Sequence, residues 1–261
     1  MRIVVKVGTS TLAYNTGHLN IRHMESLCKV VSDIKNAGYE IILVSSGAVG
    51  MGMGKLSLGE RPRELSLKQA AAAVGQCELM YTYDKLFSEY NHTVAQILLT
   101  ASDINDSERK DNFVNTIFKL LELGVIPIVN ENDTVVVNEL VIGDNDSLAA
   151  IVSENTDADL LVILSDIDGL FTADPHKDSN AELISVIDEI TPQVEALAGG
   201  VGSGVGTGGM VTKISAAKIV TASGCDMIIA NGQDPRILYD IIEGKMVGTR
   251  FKGVKKTDDN K

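Results

Sequence analysis

Two lysines of this chain stand in settings that suggest chemistry. Lys6 interrupts the apolar run Ile3–Val7 and is followed by Gly8. A lysine buried without a partner is costly, and Lys6 falls at the strand end where open α/β sheets place their ligands; on its long stem it can also snorkel to solvent. Lys213 closes the stretch "GVGSGVGTGGMVTK" from Gly200, and seven of the eleven residues from 199 to 209 are glycine. Glycine at that density gives up backbone entropy on ordering. Its amides, a helix start and a first-turn lysine suit an anion such as a phosphate. A mobile surface linker ending in an exposed lysine is the competing reading.

Familiar phosphate and metal motifs do not fit. Gly204–Gly209 satisfies G-x-G-x-x-G, but a dinucleotide fingerprint follows a strand, and "ITPQVEALAGG" before it reads as a short helix. Walker A fails because Lys213 is flanked by Thr212 and Ile214. Asp144-Asn145-Asp146 begins like a calcium loop, yet position six is Ala149 and position twelve is Asn155, which excludes it.

Three other segments put small or polar groups at strand ends. Ser45-Ser46-Gly47 follows an apolar run and exposes amides and hydroxyls, either towards a ligand or in a simple tight turn. Asn130–Asp133 follows a strand and Gly143–Asp146 precedes a helix, where Asp146 or Ser147 could merely cap. In "LSDIDGLFTADP", Ser165-Asp166 ends a strand, while Asp168-Gly169 and Asp174-Pro175 are also ordinary turn chemistry.

Positioning such groups needs a framework, and the chain is long enough to supply one. Its 261 residues are 44% hydrophobic and 22% charged, a globular composition able to bury a full core. A net charge of −12 disfavours general binding to nucleic acid or to a membrane surface. Cys28, Cys77 and Cys225 share no metal or redox spacing and read as free buried thiols of a reducing compartment; the four histidines show no ligand spacing either. No run reaches the roughly 18 apolar residues needed to span a bilayer. The expectation is a soluble, cytoplasmic chain.

Short Val- and Ile-rich runs at Ile3–Val7, Ile41–Val44, Val94–Leu99, Ile126–Val129, Leu160–Leu164 and Met227–Ala230 lack in/out alternation, as parallel strands covered on both faces do. Between them lie helical stripes: Ile21, Met24, Leu27, Val31 and Ile34 closed by Gly38, then 65–90, 112–123, 147–155, 212–223 and 236–243. This alternation means α/β architecture with a mainly parallel sheet between helices. A hairpin is expected about Asn138-Glu139. One domain over 1–251 followed by a polar tail, 252–261, is the expected organisation.

Taken in order, "VVKVGTS", "VSSGAV", "VNENDTV", "GDNDSLAA", "SDIDGLFTADP" and "GTGGMVTKISAA" resemble the motifs of the amino acid kinase family, and within it the branch whose acceptor is glutamate. The likeness covers Met1 to Phe251. It implies an open αβα sandwich and transfer of the ATP γ-phosphoryl group, with Mg²⁺, to the side-chain carboxylate of L-glutamate. The product is γ-glutamyl phosphate, the first intermediate of proline biosynthesis. By this resemblance Lys6 and Lys213 bind the phosphoryl groups, Asp146 orients both ammonium groups, and Ser46, Asp133 and Asn145 hold glutamate. Lys6, Gly8, Ser165, Asp166, Thr207, Gly208, Gly209, Met210, Val211, Thr212 and Lys213 line the ATP site, and no protein side chain ligates the metal. The glycine stretch becomes a phosphate-covering loop, most mobile over Gly200–Gly206 and ordered by ATP. Expected partners are a further copy of the chain, proline as feedback inhibitor and a downstream glutamyl-phosphate reductase. Many members of the family continue into a PUA domain, whereas this sequence stops ten residues after Phe251. Competing readings are another kinase of the fold (for acetylglutamate, aspartate, carbamate or a nucleoside monophosphate), a non-catalytic ATP- or amino-acid-binding regulator, and a dinucleotide-dependent oxidoreductase.

Overall fold

The six Val- and Ile-rich runs all form strands: β1 (Arg2–Val7), β2 (Glu40–Ser45), β3 (Val94–Leu99), β4 (Ile126–Glu131), β5 (Leu160–Ser165) and β7 (Asp226–Asn231). Two short strands without a sequence pattern, β6 (Val186–Ile187) and β8 (Thr249–Phe251), complete the sheet. This computed structural model describes residues 1–14, 18–60, 62–136, 144–175, 177–199 and 209–254. The eight strands run in the order β3-β4-β2-β1-β5-β7-β8-β6. Neighbours are parallel except for β8 against β7.

Both faces of the sheet are covered, which is why its inner strands carry no polar face; on the edge strand β3, Gln96 is exposed and only Leu99 is buried. On β1, Ile3, Val5 and Val7 join one core with α1 (Thr9–Leu12), α2 (Ile21–Asn36), α3 (Ala48–Lys55), α4 (Leu65–Ser88) and α10 (Ile237–Ile242). Val4 points the other way, into a core with α6 (Ser107–Glu122), α7 (Asn145–Asn155), α8 (Pro192–Gly199) and α9 (Met210–Ala222). Strand period two puts Lys6 on the Val4 face, beneath α7 and α9.

Several boundaries differ from the sequence reading. Helix α6 starts at Ser107 because Asp106 accepts from the Arg109 amide at 3.0 Å and supplies the cap; a five-residue α5 (Ala101–Asn105) precedes it. Ile21, placed on the buried stripe of α2, is 60% exposed, whereas Met24, Leu27, Val31 and Ile34 are buried. Cys28 and Cys225 are buried free thiols, but Cys77 is exposed on α4, so the expectation of three buried thiols fails there. The expected hairpin turn and the glycine-rich segment 200–208 lie outside the described residues. After β8 the amides of Lys252, Gly253 and Val254 donate to Ile187 O, Asp226 Oδ1 and Thr221 O.

Candidate active site

The C-terminal ends of β1, β2, β4 and β5 collect several of the residues singled out above. At their centre Asp146, fully buried, bridges two lysines that are themselves 8% and 4% exposed. Lys6 Nζ lies 2.7 Å from Asp146 Oδ1 and Lys213 Nζ 3.1 Å from Oδ2. The Thr212 hydroxyl stands 3.1 Å from the same Oδ2 and 2.7 Å from Gly209 O. Asp146 is free for this role because Asp144 caps α7, accepting from the Ser147 amide at 2.8 Å. Burial pushes the Asp146 carboxyl toward its neutral form, but the ammonium groups of Lys6 and Lys213 outweigh that and hold its pKa below the usual carboxylate range. An ammonium pair held apart on one carboxylate can receive phosphoryl oxygens.

Beside the triad, Asn145 opens α7 and sets its amide against the end of β2. Its Nδ2 lies 2.8 Å from Ser46 Oγ, 3.2 Å from Ser45 O and 3.0 Å from Asn130 Oδ1. Ser46 is pinned by its own amide, which donates to Val7 O at 3.0 Å. Gly47 takes φ +105°, a left-handed turn, before α3 begins. Gly8 caps α1 next to the Lys6 ammonium; a Cβ there would stand 3.7 Å from Nζ.

Lys6, Gly8, Ser46, Asn145, Asp146, Thr212 and Lys213 are thus brought together. Ser165 ends β5 with its hydroxyl donating to Asp166 Oδ1 at 3.1 Å, on the strand paired with β1. Asp133 is half-buried in the turn after β4, where Asn132 and Val135 line a 250 Å³ cavity with Thr100 and Arg109. Gly209 and Met210 lead α9 into the site, but Val211 is 56% exposed. Thr207 and Gly208 lie outside the described residues. Gln76 escaped the sequence reading, and Asn130 was noted there only as the start of a polar segment: Asn130 Nδ2 donates to Gln76 Oε1 at 2.9 Å, a contact across 54 positions that no local spacing announces. Among the described residues the larger cavity, 920 Å³, lies instead between α2, the end of α4 and α10; it contains none of these groups, and here charge locates the site better than volume.

No group of three or more His, Cys, Asp or Glu that could hold a metal ion occurs among the described residues, and no described helix is long and apolar enough to cross a membrane.

A mainly parallel αβα sandwich with two lysines converging on a buried aspartate at its strand ends describes a phosphoryl-transfer protein, and the chain belongs to the amino acid kinase family, whose sequence profile matches residues 1–231. It is 54% identical over 258 residues to the glutamate 5-kinase of Clostridium perfringens, covering 97% of this chain and 96% of that one. The glutamate 5-kinases of Clostridium tetani and Listeria innocua are 53% and 52% identical, each over 97% of this chain and covering 95% and 94% of theirs. Among solved structures, the T. acidophilum isopentenyl phosphate kinase product complex superposes with TM-score 0.63 at 18% identity, covering 97% of this chain and all of that one. UMP kinase from Ureaplasma parvum gives 0.65 at 15%, covering 96% and 98%. Those two likenesses are of fold alone.

Proposed function

We infer that the chain is an ATP-dependent kinase that phosphorylates the side-chain carboxylate of L-glutamate to γ-glutamyl phosphate, which opens proline biosynthesis. The observation that carries this reading is the buried Lys6–Asp146–Lys213 triad at the end of β1, and the match to glutamate 5-kinases across nearly the whole chain supplies the acceptor. A carboxylate oxygen attacks the γ-phosphorus, the bond to the β-bridging oxygen breaks, and ADP leaves. At neutral pH the acceptor is already ionised, so no general base is needed, and the work is positioning and charge neutralisation.

Within that scheme Lys6 meets the transferred group and Lys213 the leaving β-phosphate, while Asp146 holds the two ammonium groups apart. Asn145, Ser46 and Asp133 hold glutamate, with Asp133 toward its α-ammonium. Ser165, Asp166 and residues 207–213 line the nucleotide side, and the amides of Gly8 and Gly47 serve phosphate oxygens. Mg²⁺ carried on the ATP phosphates would neutralise further charge without a ligand from the chain. We assign residues 1–251 to the kinase domain and place the reaction in the cytoplasm, with the product passed to a reductase, proline returning to the acceptor site as inhibitor, and the chain working as a homo-oligomer.

The test is acyl-hydroxamate formation from ATP, Mg²⁺, hydroxylamine and single acceptors. L-glutamate is expected to give product where L-aspartate and N-acetyl-L-glutamate do not. Lys6→Ala and Lys213→Ala are each expected to lower kcat about 10²-fold or more, the usual scale for losing one charge-stabilising group. Near-wild-type turnover in either variant would remove that lysine from the mechanism.

A further inference from the structure

We propose that Gln76 is a positioning residue that, acting through Asn130, sets the Asn145 amide to receive the acceptor's free α-ammonium and so contributes to selection against N-acylated acceptors. The inference deepens the glutamate reading and rests on it.

Three amides run head to tail from α4 to the acceptor side of the site. Gln76 Oε1 accepts from Asn130 Nδ2 at 2.9 Å, and Asn130 Oδ1 accepts from Asn145 Nδ2 at 3.0 Å and from the Glu131 amide at 2.9 Å. An amide can sit either way round, and its neighbours decide which. Asn145 Nδ2 faces only acceptors, so the group it has left to offer is the Oδ1 carbonyl. A carbonyl acceptor suits a primary ammonium, whereas an acylated nitrogen brings its own carbonyl and one hydrogen fewer.

Asn130 keeps this polarity only while its own NH₂ is satisfied. It is 2% exposed, so without Gln76 its donor is stranded away from water, at the cost of an unmet buried group. Rotation to relieve that cost withdraws Oδ1 from Asn145. Gln76 in turn is placed by backbone packing: the neighbouring Gly75 lies so close to α3 that a Cβ would come 1.8 Å from Ala48 O. The Gln76 Nε2 group is buried and finds no partner among the described residues, so the oxygen is the part of this side chain in use.

Gln76→Met removes that oxygen at similar volume, and Gln76→Glu keeps it. With the purified full chain, Gln76→Met is expected to raise the glutamate KM about tenfold. Its ATP KM and its kcat at saturating glutamate should stay within about threefold, the pattern of a lost binding contact. Its preference for L-glutamate over N-acetyl-L-glutamate should also narrow. Gln76→Glu is expected to restore the glutamate KM to within about threefold of wild type. A purely structural role would lower the thermal midpoint and leave the KM unmoved. A folded Gln76→Met with unchanged glutamate KM, or a folded Gln76→Glu that is as impaired as Gln76→Met, overturns the inference alone. Should Gln76→Met not fold, a tenfold rise in KM for folded Gln76→Glu overturns it. A wild-type chain inert with glutamate overturns the acceptor assignment and this inference together.

Discussion

Asp146 shows how much a single carboxylate must do when it is the common partner of two buried ammonium groups. Desolvation alone would raise its pKa, and the lysines reverse the sign. A group whose folded pKa is depressed stabilises the fold above its unfolded value, and that contribution is lost as pH falls through the folded value. The stability difference between wild type and Asp146→Asn, measured in urea, should therefore be constant from pH 7 to about 4 and shrink below about 3.9, the unfolded carboxylate value. A difference that instead grows on acidification contradicts the ion triad. Sequence reading found Lys6 and Lys213 because each violates a local expectation, a charge in an apolar strand and a lysine after glycines. It left open whether Asp146 was a helix cap, since three polar residues in a row can each cap; only the fold shows Asp144 in that role. Gln76 was not legible at all, because its partner Asn130 comes from β4, 54 positions along the chain from this helix residue.

At the scale of elements, the long-range glycine contacts were the part least visible in sequence. "AVGMGMGK" carries three glycines and shows no helical stripe in the sequence, yet it forms α3. The propensity cost of glycine is overridden by the approach of α4: a Cβ at Gly52 would stand 1.7 Å from Ala71 O, and one at Gly75 1.8 Å from Ala48 O. Gly52→Ala and Gly75→Ala are each expected to destabilise by about 1–3 kcal/mol despite better helix propensity. Gly50→Ala, whose Cβ would meet only the Thr9 methyl at 3.4 Å, is the tolerated control. Urea midpoints decide this, and a stabilised Gly75→Ala would refute the close crossing. Five of the six main strands were legible because burial on both faces writes a continuous apolar run, and the edge strand β3 because Val, Ile and Leu flank its exposed Gln96. Strands of two and three residues, such as β6 and β8, carry no period to read.

For the molecule as a whole, the sheet brings segments from positions 6 to 213 to one edge, where β1 lies between β2 and β5. A chain of net charge −12 holds there two buried ammonium groups on Asp146, which in the proposed reaction offset repulsion between a carboxylate and a triphosphate that the overall charge would otherwise aggravate. In the proposed reaction the acceptor oxygen belongs to the glutamate side chain. L-glutamate carrying ¹⁸O in both γ-carboxylate oxygens, incubated with ATP, Mg²⁺ and the full chain, tests it directly. Attack by that carboxylate makes a labelled C–O–P bridge. When the free α-amine then closes on the γ-carbonyl and expels phosphate, the bridging oxygen leaves with phosphorus. Inorganic phosphate bearing one ¹⁸O atom is the expected result. Phosphate released with no label and with no lactam formed would mean that water, not the carboxylate, took the phosphoryl group, and would contradict the proposed transfer.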